Sequence, residues 1–256
     1  MMGTDHTGAV NIIPVPGIPE LRTGDDLAAL ILDACGAAEL QLQPGDVLVV
    51  THKVVSKAEG CIVDLKDIKP SDLATRFAQS SGKDPRHVEV VLRESARIVR
   101  MDRGILITQT HHGFVCANAG VDASNVPGED TVCLLPEDPD ASARALRERI
   151  RESTGVDLAV IITDSFGRAW RWGITNVAIG VSGMSPLADY RGEPDQWGRE
   201  MAASIIAVAD ELAAASELVM GKTDARPVAL IRGYALVPAD GNAKQLVMPP
   251  ANDLFR

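Results

Sequence analysis

Val160-Ile161-Ile162-Thr163-Asp164-Ser165-Phe166-Gly167-Arg168-Ala169-Trp170-Arg171 passes without a break from an apolar run into a carboxylate, a hydroxyl, a glycine and two cations. Three consecutive apolar residues, all β-branched, read as a strand covered on both faces. The polar residues after it would emerge at its carboxyl end, where open α/β sheets gather their ligands. Asp164 and Ser165 offer the hard oxygens that Mg²⁺ or Mn²⁺ accepts. Arg168 and Arg171 carry planar forks suited to phosphate or carboxylate. The plainer reading of the same residues is an Asp-Ser-x-Gly turn with solvated arginines, so the rest of the chain has to decide between the two.

Working outward, Pro139 to Ser153 predicts the helix before this strand, with Ala143, Leu146 and Ile150 inward, and Ile174 to Val181 predicts its continuation into a sheet. A second passage of the same kind is Gly45-Asp46 followed by Val47-Leu48-Val49-Val50 and then Thr51-His52-Lys53. Near the start, Ile12 to Leu21 holds three prolines and reads as an edge strand running into a stiff loop. Gly24-Asp25-Asp26 opens a helix with Leu27, Leu30, Ile31 and Ala34 on one face, acids in its first turn and Gly36 near its end. Residues 71 to 95 carry two helical patterns, one with Leu73, Ala74, Phe77 and Ala78 inward, the other beginning near Pro85 with Val88, Val91 and Leu92 inward. Ile98 to Arg100, Ile105 to Thr110 and Phe114 to Asn118 predict short strands, the last two joined by a turn at His111-His112-Gly113. An Ala-rich stretch from Glu200 to Leu218 predicts one long helix with Ala203, Ile206, Ala207 and Ala214 on its apolar stripe. Val228 to Ile231 is a last strand. Only some strands are followed by helices, so a mixed α/β to α+β architecture fits better than a doubly wound Rossmann sheet.

The chain has 256 residues, enough to bury a sizeable core. Its four cysteines are scattered without a C-x-x-C pair and read as reduced core thiols, against a zinc site or a disulfide framework. The first residues lack a basic and apolar leader, and no apolar run approaches the length of a membrane span, so a cytoplasmic location is expected, with no membrane partner. The net charge of −10 argues against a nucleic-acid partner, because phosphate-backbone affinity needs clustered cations.

Three further segments carry possible chemistry. Gly221-Lys222-Thr223 matches the end of a P-loop, but Ser216 stands where the motif needs its first glycine. The loop can still hold phosphate through amides and an ammonium. Asn118-Ala119-Gly120-Val121-Asp122-Ala123-Ser124-Asn125 offers Asp122 and Asn125 as a metal ligand and a nucleotide contact, against a simple Asx-turn. His52, His111 and His112 lack zinc-enzyme spacing and read as turn or surface histidines. Trp170, Trp172 and Trp197 read as core residues, or, for the first two, as stacking platforms beside the acidic stretch.

Taken together, Gly45-Asp46-Val47-Leu48-Val49-Val50, Val55-Ser56-Lys57-Ala58-Glu59-Gly60, Asn118 to Val126, Leu134-Leu135-Pro136-x-Asp138-Pro139-Asp140 and Ile162-Thr163-Asp164-x-x-Gly167-Arg168 resemble the coenzyme F420-0:gamma-glutamyl ligase family, in order and in rough spacing, from about Ile13 to Leu236. The closing Asn252-Asp253-Leu254-Phe255 resembles the junction at which fused relatives pass into a nitroreductase-like domain, so this chain looks like the ligase part alone.

The resemblance implies the family's gamma-glutamyl ligase-like fold, not a Rossmann or P-loop fold. It implies a two-domain monomer in which residues 1–256 form one ligase unit of two interleaved subdomains. It also implies a homodimer, for which the Glu200 to Leu218 helix was the expected packing face. The implied reaction attaches L-glutamate to the lactyl phosphodiester tail of a deazaflavin precursor, with GTP as co-substrate, Mg²⁺ or Mn²⁺, and K⁺ as a further cation. By resemblance, Asp122, Asp164 and Ser165 are metal ligands, the serine replacing a frequent threonine. A further metal-site acid of archaeal members falls on Lys222, which cannot ligate a cation while protonated. Nucleotide contacts fall on Ile18, Pro19, Glu20, Leu21, His52, Lys53, Lys57, Asn125 and the loop Met220, Gly221, Lys222, Thr223. Asp164, Arg168 and Arg171 are the candidate catalytic residues; the two arginines are assigned to the acceptor phosphate or the glutamate from charge and place alone. The alternatives are a same-fold ligase with another carboxylate acceptor, or a non-catalytic nucleotide-binding regulator.

Overall fold

The apolar run is a strand, and the chain on either side supplies its neighbours. The computed structural model describes residues 8–124, 126, 128 and 130–254. β1 is Asn11–Pro14. α1, Leu27–Ala37, starts at Asp26, whose carboxylate accepts the Ala29 amide as N-cap. β2, Val47–Thr51, runs directly into α2, His52–Glu59, which Gly60 ends in the left-handed conformation. β3 (Ile62–Asp64), α3 (Asp72–Ser81), α4 (Pro85–Arg93), β4 (Ser95–Asp102), β5 (Ile105–Thr110), β6 (Val115–Ala117) and β7 (Thr131–Cys133) follow. α5 (Pro139–Thr154), capped by Asp138, leads to β8 (Ala159–Arg168) and β9 (Arg171–Ser182). β10 (Ala188–Asp189), β11 (Ile205–Ile206), α6 (Val208–Met220) and β12 (Val228–Arg232) complete the order.

The main sheet runs β1-β12-β2-β8-β9. Only β2 and β8 are parallel, in the register Val47↔Ala159 to Thr51↔Thr163. One parallel pair among antiparallel ones bears out the mixed α/β reading over a doubly wound sheet. Successive residues of β2 and β8 are both fully buried, so both faces of the sheet's centre are covered. Ala143, Leu146 and Ile150 of α5 and Leu212 and Ala213 of α6 belong to that core. At Gly180 a Cβ would lie 2.3 Å from the Pro139 carbonyl oxygen, so glycine is what lets α5 start against β9. A second buried cluster lies between Leu65 and Val132 in sequence: Ala74 and Ala78 of α3, Val88 and Val91 of α4, and Leu106 of β5.

Several elements differ from the sequence reading. Residues 52–59 form α2, which apolar periodicity did not announce because its buried face includes His52, Ser56 and Lys57. The strand does not stop before Asp164 but continues to Arg168, paired only with β9 once β2 gives way to α2 at Thr51. Asp164 and Ser165 therefore leave the sheet on a two-stranded ribbon, not on a turn. The Ala-rich helix begins at Val208, not Glu200. Residues 200–206 pair instead with 188–195: the Tyr190 amide donates to Ser204 and the Gly192 amide to Met201, and such ladder bonds outweigh a weak propensity. Ala203 and Ile206 are exposed in consequence, and the buried stripe is Val208, Ala209, Leu212, Ala213, Ser216 and Met220. That stripe packs within the subunit, which removes the stated reason for placing a dimer contact there. In the first helix Asp25 and Asp26 precede the helix instead of occupying its first turn, and Leu73 of α3 points to solvent. All three tryptophans are surface residues, Trp172 fully so. Cys35, Cys116 and Cys133 are buried thiols, and Cys61 is partly so.

Candidate active site

The carboxyl end of β2, and the part of β8 that begins to outrun it at Thr163, open into a cleft of about 680 Å³. From β8 come Thr163, Asp164 and Ser165, and from β9 opposite them Ile174 and Asn176. The first turn of α2 contributes His52 and Lys53, and Lys57 follows one turn later. Thr51, the N-cap of that helix, supplies no side-chain cap, so the positive end of the helix beside the cleft has no side chain hydrogen-bonded to its amides from the cap position. Ile18, Pro19, Glu20 and Leu21 form one wall, Asp122 and Ser124 another, and the loop Gly221-Lys222-Thr223 with Arg226 closes the far side.

His52 is buried, which corrects its reading as a turn or surface residue. Its Nε2 lies 3.3 Å from Asp164 Oδ1 and its Nδ1 3.4 Å from Ser56 Oγ. The approach to Asp164 is oblique, and Nε2 makes no aligned hydrogen bond. His111 and His112 are turn residues as read, bonded to the carbonyls of Arg93 and of Pro136 and Glu137. Lys57 pairs with Glu20, tying α2 to the proline-stiffened loop. Lys53 Nζ sits 2.7 Å from Asp122 Oδ2 and donates to Ser124 Oγ at 2.9 Å. Burial pushes the Asp122 carboxyl up, but the hydrogen bonds from Lys53 and from the Ser124 amide and hydroxyl outweigh it and hold the group below the usual carboxylate value. On the opposite side of the cleft floor, Lys222 Nζ donates to Ser165 Oγ and lies 3.4 Å from Glu217 Oε1.

A divalent cation can be tested against these oxygens. Asp164 Oδ1 accepts the Ser165 amide at 2.7 Å and faces His52, while Oδ2 makes no hydrogen bond or ion pair among the described residues. Asp122 has both oxygens engaged, by Ser124 and Lys53. Among the described residues no three acids, histidines or cysteines gather tightly enough to cage an ion. A cation bound through one or two carboxylates, completed by water and phosphate oxygens, is the arrangement this donor set fits.

Most sequence-predicted site residues therefore meet in one cleft. Met220 is buried beneath it, and Asn125 lies outside the described residues. Arg168 and Arg171 pair across the exposed tip of the β8–β9 hairpin and do not line the cleft. Sequence reasoning missed Ser124, Asn176, Glu217 and Arg226. Asn176 is brought in by its register opposite Ser165 and Glu217 by the turn of α6, and no local motif marks either.

A family model described as F420-0:Gamma-glutamyl ligase matches residues 17–233. The chain belongs to the F420-0:gamma-glutamyl ligase family. Among relatives of that family, a protein named Coenzyme F420:L-glutamate ligase from Methanopyrus kandleri is 49% identical over 252 residues, covering 96% of this chain and 98% of that one. The protein of the same name from Methanothermobacter thermautotrophicus is 46% identical over 250 residues, covering 96% and 99%, and that from Archaeoglobus fulgidus 41% identical over 248 residues, covering 96% of each. The match to the gamma-glutamyl ligase family begins at Gly17, at the first wall of the cleft, and ends at Gly233, just past β12. No helix of the described residues is long and apolar enough to cross a membrane.

Proposed function

We propose that this protein ligates L-glutamate to the lactyl carboxylate of coenzyme F420-0, with GTP as phosphoryl donor and a divalent cation, through an acyl phosphate. That it is a ligase of F420 biosynthesis follows from family membership and from relatives of that name aligned over nearly their whole length. The observation that carries the rest is the convergence of Asp164, the first turn of α2 and the Lys222 loop on one cleft. An acid where β8 outruns β2, an uncapped helix N-terminus and several ammonium groups are what an anionic phosphate donor and an anionic acceptor need.

Each side chain then has a part. Lys53, Lys57, Lys222 and Arg226 oppose the phosphate charges, and the residues from Ile18 to Leu21 form the wall on which the nucleoside lies. Asp164, with Asp122 once Lys53 is drawn to phosphate, would hold the cation, which neutralises charge on the transferring phosphoryl group when bound. An oxygen of the acceptor carboxylate attacks the γ-phosphorus and the bond to the departing nucleoside diphosphate breaks. The glutamate amine attacks the acyl carbon, inorganic phosphate leaves, and the amine releases its proton. A carboxylate does not condense with an amine unaided, and positioning supplies much of the acceleration. K⁺ is carried as a further cation to test, and Arg168 and Arg171, on the hairpin tip outside the cleft lining, as contacts for the acceptor. We read the two buried clusters as the two interleaved subdomains and the assembly as a homodimer; light scattering that returned a monomer at micromolar concentration would remove the dimer.

Incubating the purified protein with F420-0, L-glutamate and either GTP or ATP, and reading the products by mass, tests the reading. The expected outcome is one or more added glutamates with GTP and release of phosphate. No mass gain with either nucleotide in the presence of Mn²⁺ would overturn it.

A further inference from the structure

The floor of the cleft holds a closed polar ring. Ser165 Oγ donates to Asn176 Oδ1 at 2.6 Å, Asn176 Nδ2 donates to Glu217 Oε2 at 2.9 Å, Glu217 Oε1 faces Lys222 Nζ at 3.4 Å, and Lys222 returns to Ser165 Oγ. Every donor in this circuit meets an acceptor. The reverse assignment of the Asn176 amide would set its oxygen against a carboxylate, so the orientation follows from the ring itself. Asn176 is buried, which fixes the arrangement from below.

β8 and the end of α6 thus supply a hydroxyl and a carboxylate around one ammonium, and β9 supplies the amide that links the two. Oxygens of this kind, set around a point charge and open to a phosphate site, form an environment suited to a hard cation. Here the lysine occupies it. Ser165 spends its proton on Asn176 and a lone pair on Lys222, so it is poorly placed to serve as a metal ligand as well.

We propose that the Lys222 ammonium is the resident cation of this half of the cleft: held between Ser165 and Glu217, it fills the place a second divalent ion would take, and Asn176 is the positioning residue that locks the ring. The proposal rests on the reading of the cleft as a metal- and phosphate-binding site, but not on the identity of the nucleotide or acceptor. It assigns Glu217, which no motif announces, to holding the Lys222 ammonium in place. It also means that a divalent ion is required only on the Asp164 side of the cleft.

The test counts Mn²⁺ bound to the full-length protein by electron paramagnetic resonance, with no nucleotide present. Lys222 is more than half exposed, so its replacement leaves the fold intact. Lys222→Met exposes the Ser165 and Glu217 oxygens and is expected to bind one more Mn²⁺ per chain than the wild type. Lys222→Arg, which keeps a cation there, is expected to bind the wild-type number. Adding Glu217→Gln to Lys222→Met is expected to abolish the extra ion. Equal Mn²⁺ counts in wild type and Lys222→Met, zero included, overturn the proposal, as does an extra ion in Lys222→Arg or one that survives Glu217→Gln. Absence of glutamylation by the wild type, with these counts as expected, would discard the proposed reaction and leave the resident cation standing.

Discussion

Replacing Asp164 by Asn removes one charge and almost no volume. The amide oxygen can still accept the Ser165 amide, now at 2.7 Å, so β8 keeps its local geometry. What is lost for the fold is the attraction to His52 Nε2 at 3.3 Å. The approach is oblique and makes no aligned hydrogen bond, so it is worth no more than about 1 kcal/mol, the net value of a hydrogen bond, and the melting temperature should fall by no more than about 2–4 °C in a chain of this size. The cost to catalysis is larger. Asp164 stands where β8 outruns β2 and has one oxygen unengaged among the described residues, so the variant leaves the transferring charge without its main protein anchor for a cation. Removing a single preorganised electrostatic group costs about 2.7–4 kcal/mol, or roughly 10²–10³ in kcat. Turnover should therefore drop by that factor while the fold and circular dichroism are retained. The assay is glutamylation of F420-0 across a Mn²⁺ titration, with thermal unfolding in parallel. Near-normal turnover at limiting Mn²⁺ would refute the assignment of Asp164, and a large fall in melting temperature would show that the carboxylate is structural.

Other perturbations test the frame around the site. Gly180→Ala sets a methyl group against the Pro139 carbonyl, and should cost about 1–3 kcal/mol by overpacking, seen as a lower urea midpoint with an unchanged slope; a neutral result would mean that α5 can shift without loss. Asp46 is buried and receives both arms of the Arg232 fork at 2.8 Å. Asp46→Ala should cost about 3 kcal/mol, whereas Asp46→Ala with Arg232→Met should recover part of it, since the penalty comes mainly from the unpaired cation; equal losses in the two variants would contradict this. Burial raises the Asp210 carboxyl above its usual value, against the lowering effect of the Ala178 amide it accepts. A raised acid binds its proton more tightly folded than unfolded, so its charge costs stability once pH exceeds the ordinary value near about 4. Asp210→Asn should melt higher than wild type at pH 7 and lose that advantage below about pH 4; an advantage independent of pH would show that packing, not charge, is responsible.

Much of this protein is written locally. The apolar run from Val160, the prolines after Ile13, the helix that carries Leu27 and Ile31 and the helix with Ala143, Leu146 and Ile150 inward each follow from short-range chemistry, and each appears in the structure. So do Asp164, Ser165, Asp122 and the Lys222 loop as cleft residues, because polar groups at the edge of a buried strand or in a glycine loop announce themselves by contrast with their neighbours. Tertiary structure decided the rest. Residues 200–206 have the composition of a helix and pair as a ribbon, because hydrogen bonds to 188–195 outweigh an intrinsic preference of less than about 1 kcal/mol per residue. His52 looks like a turn residue and is buried against Asp164, because β2 passes straight into α2 beside β8. Arg168 and Arg171 look like site residues and stand on the hairpin tip, because β8 outruns its parallel neighbour. Asn176 and Glu217 carry no signal at all in sequence. They reach Ser165 and Lys222 only through antiparallel register and the path of α6, and long-range pairing of that kind is a property of the assembled sheet that no window of residues contains.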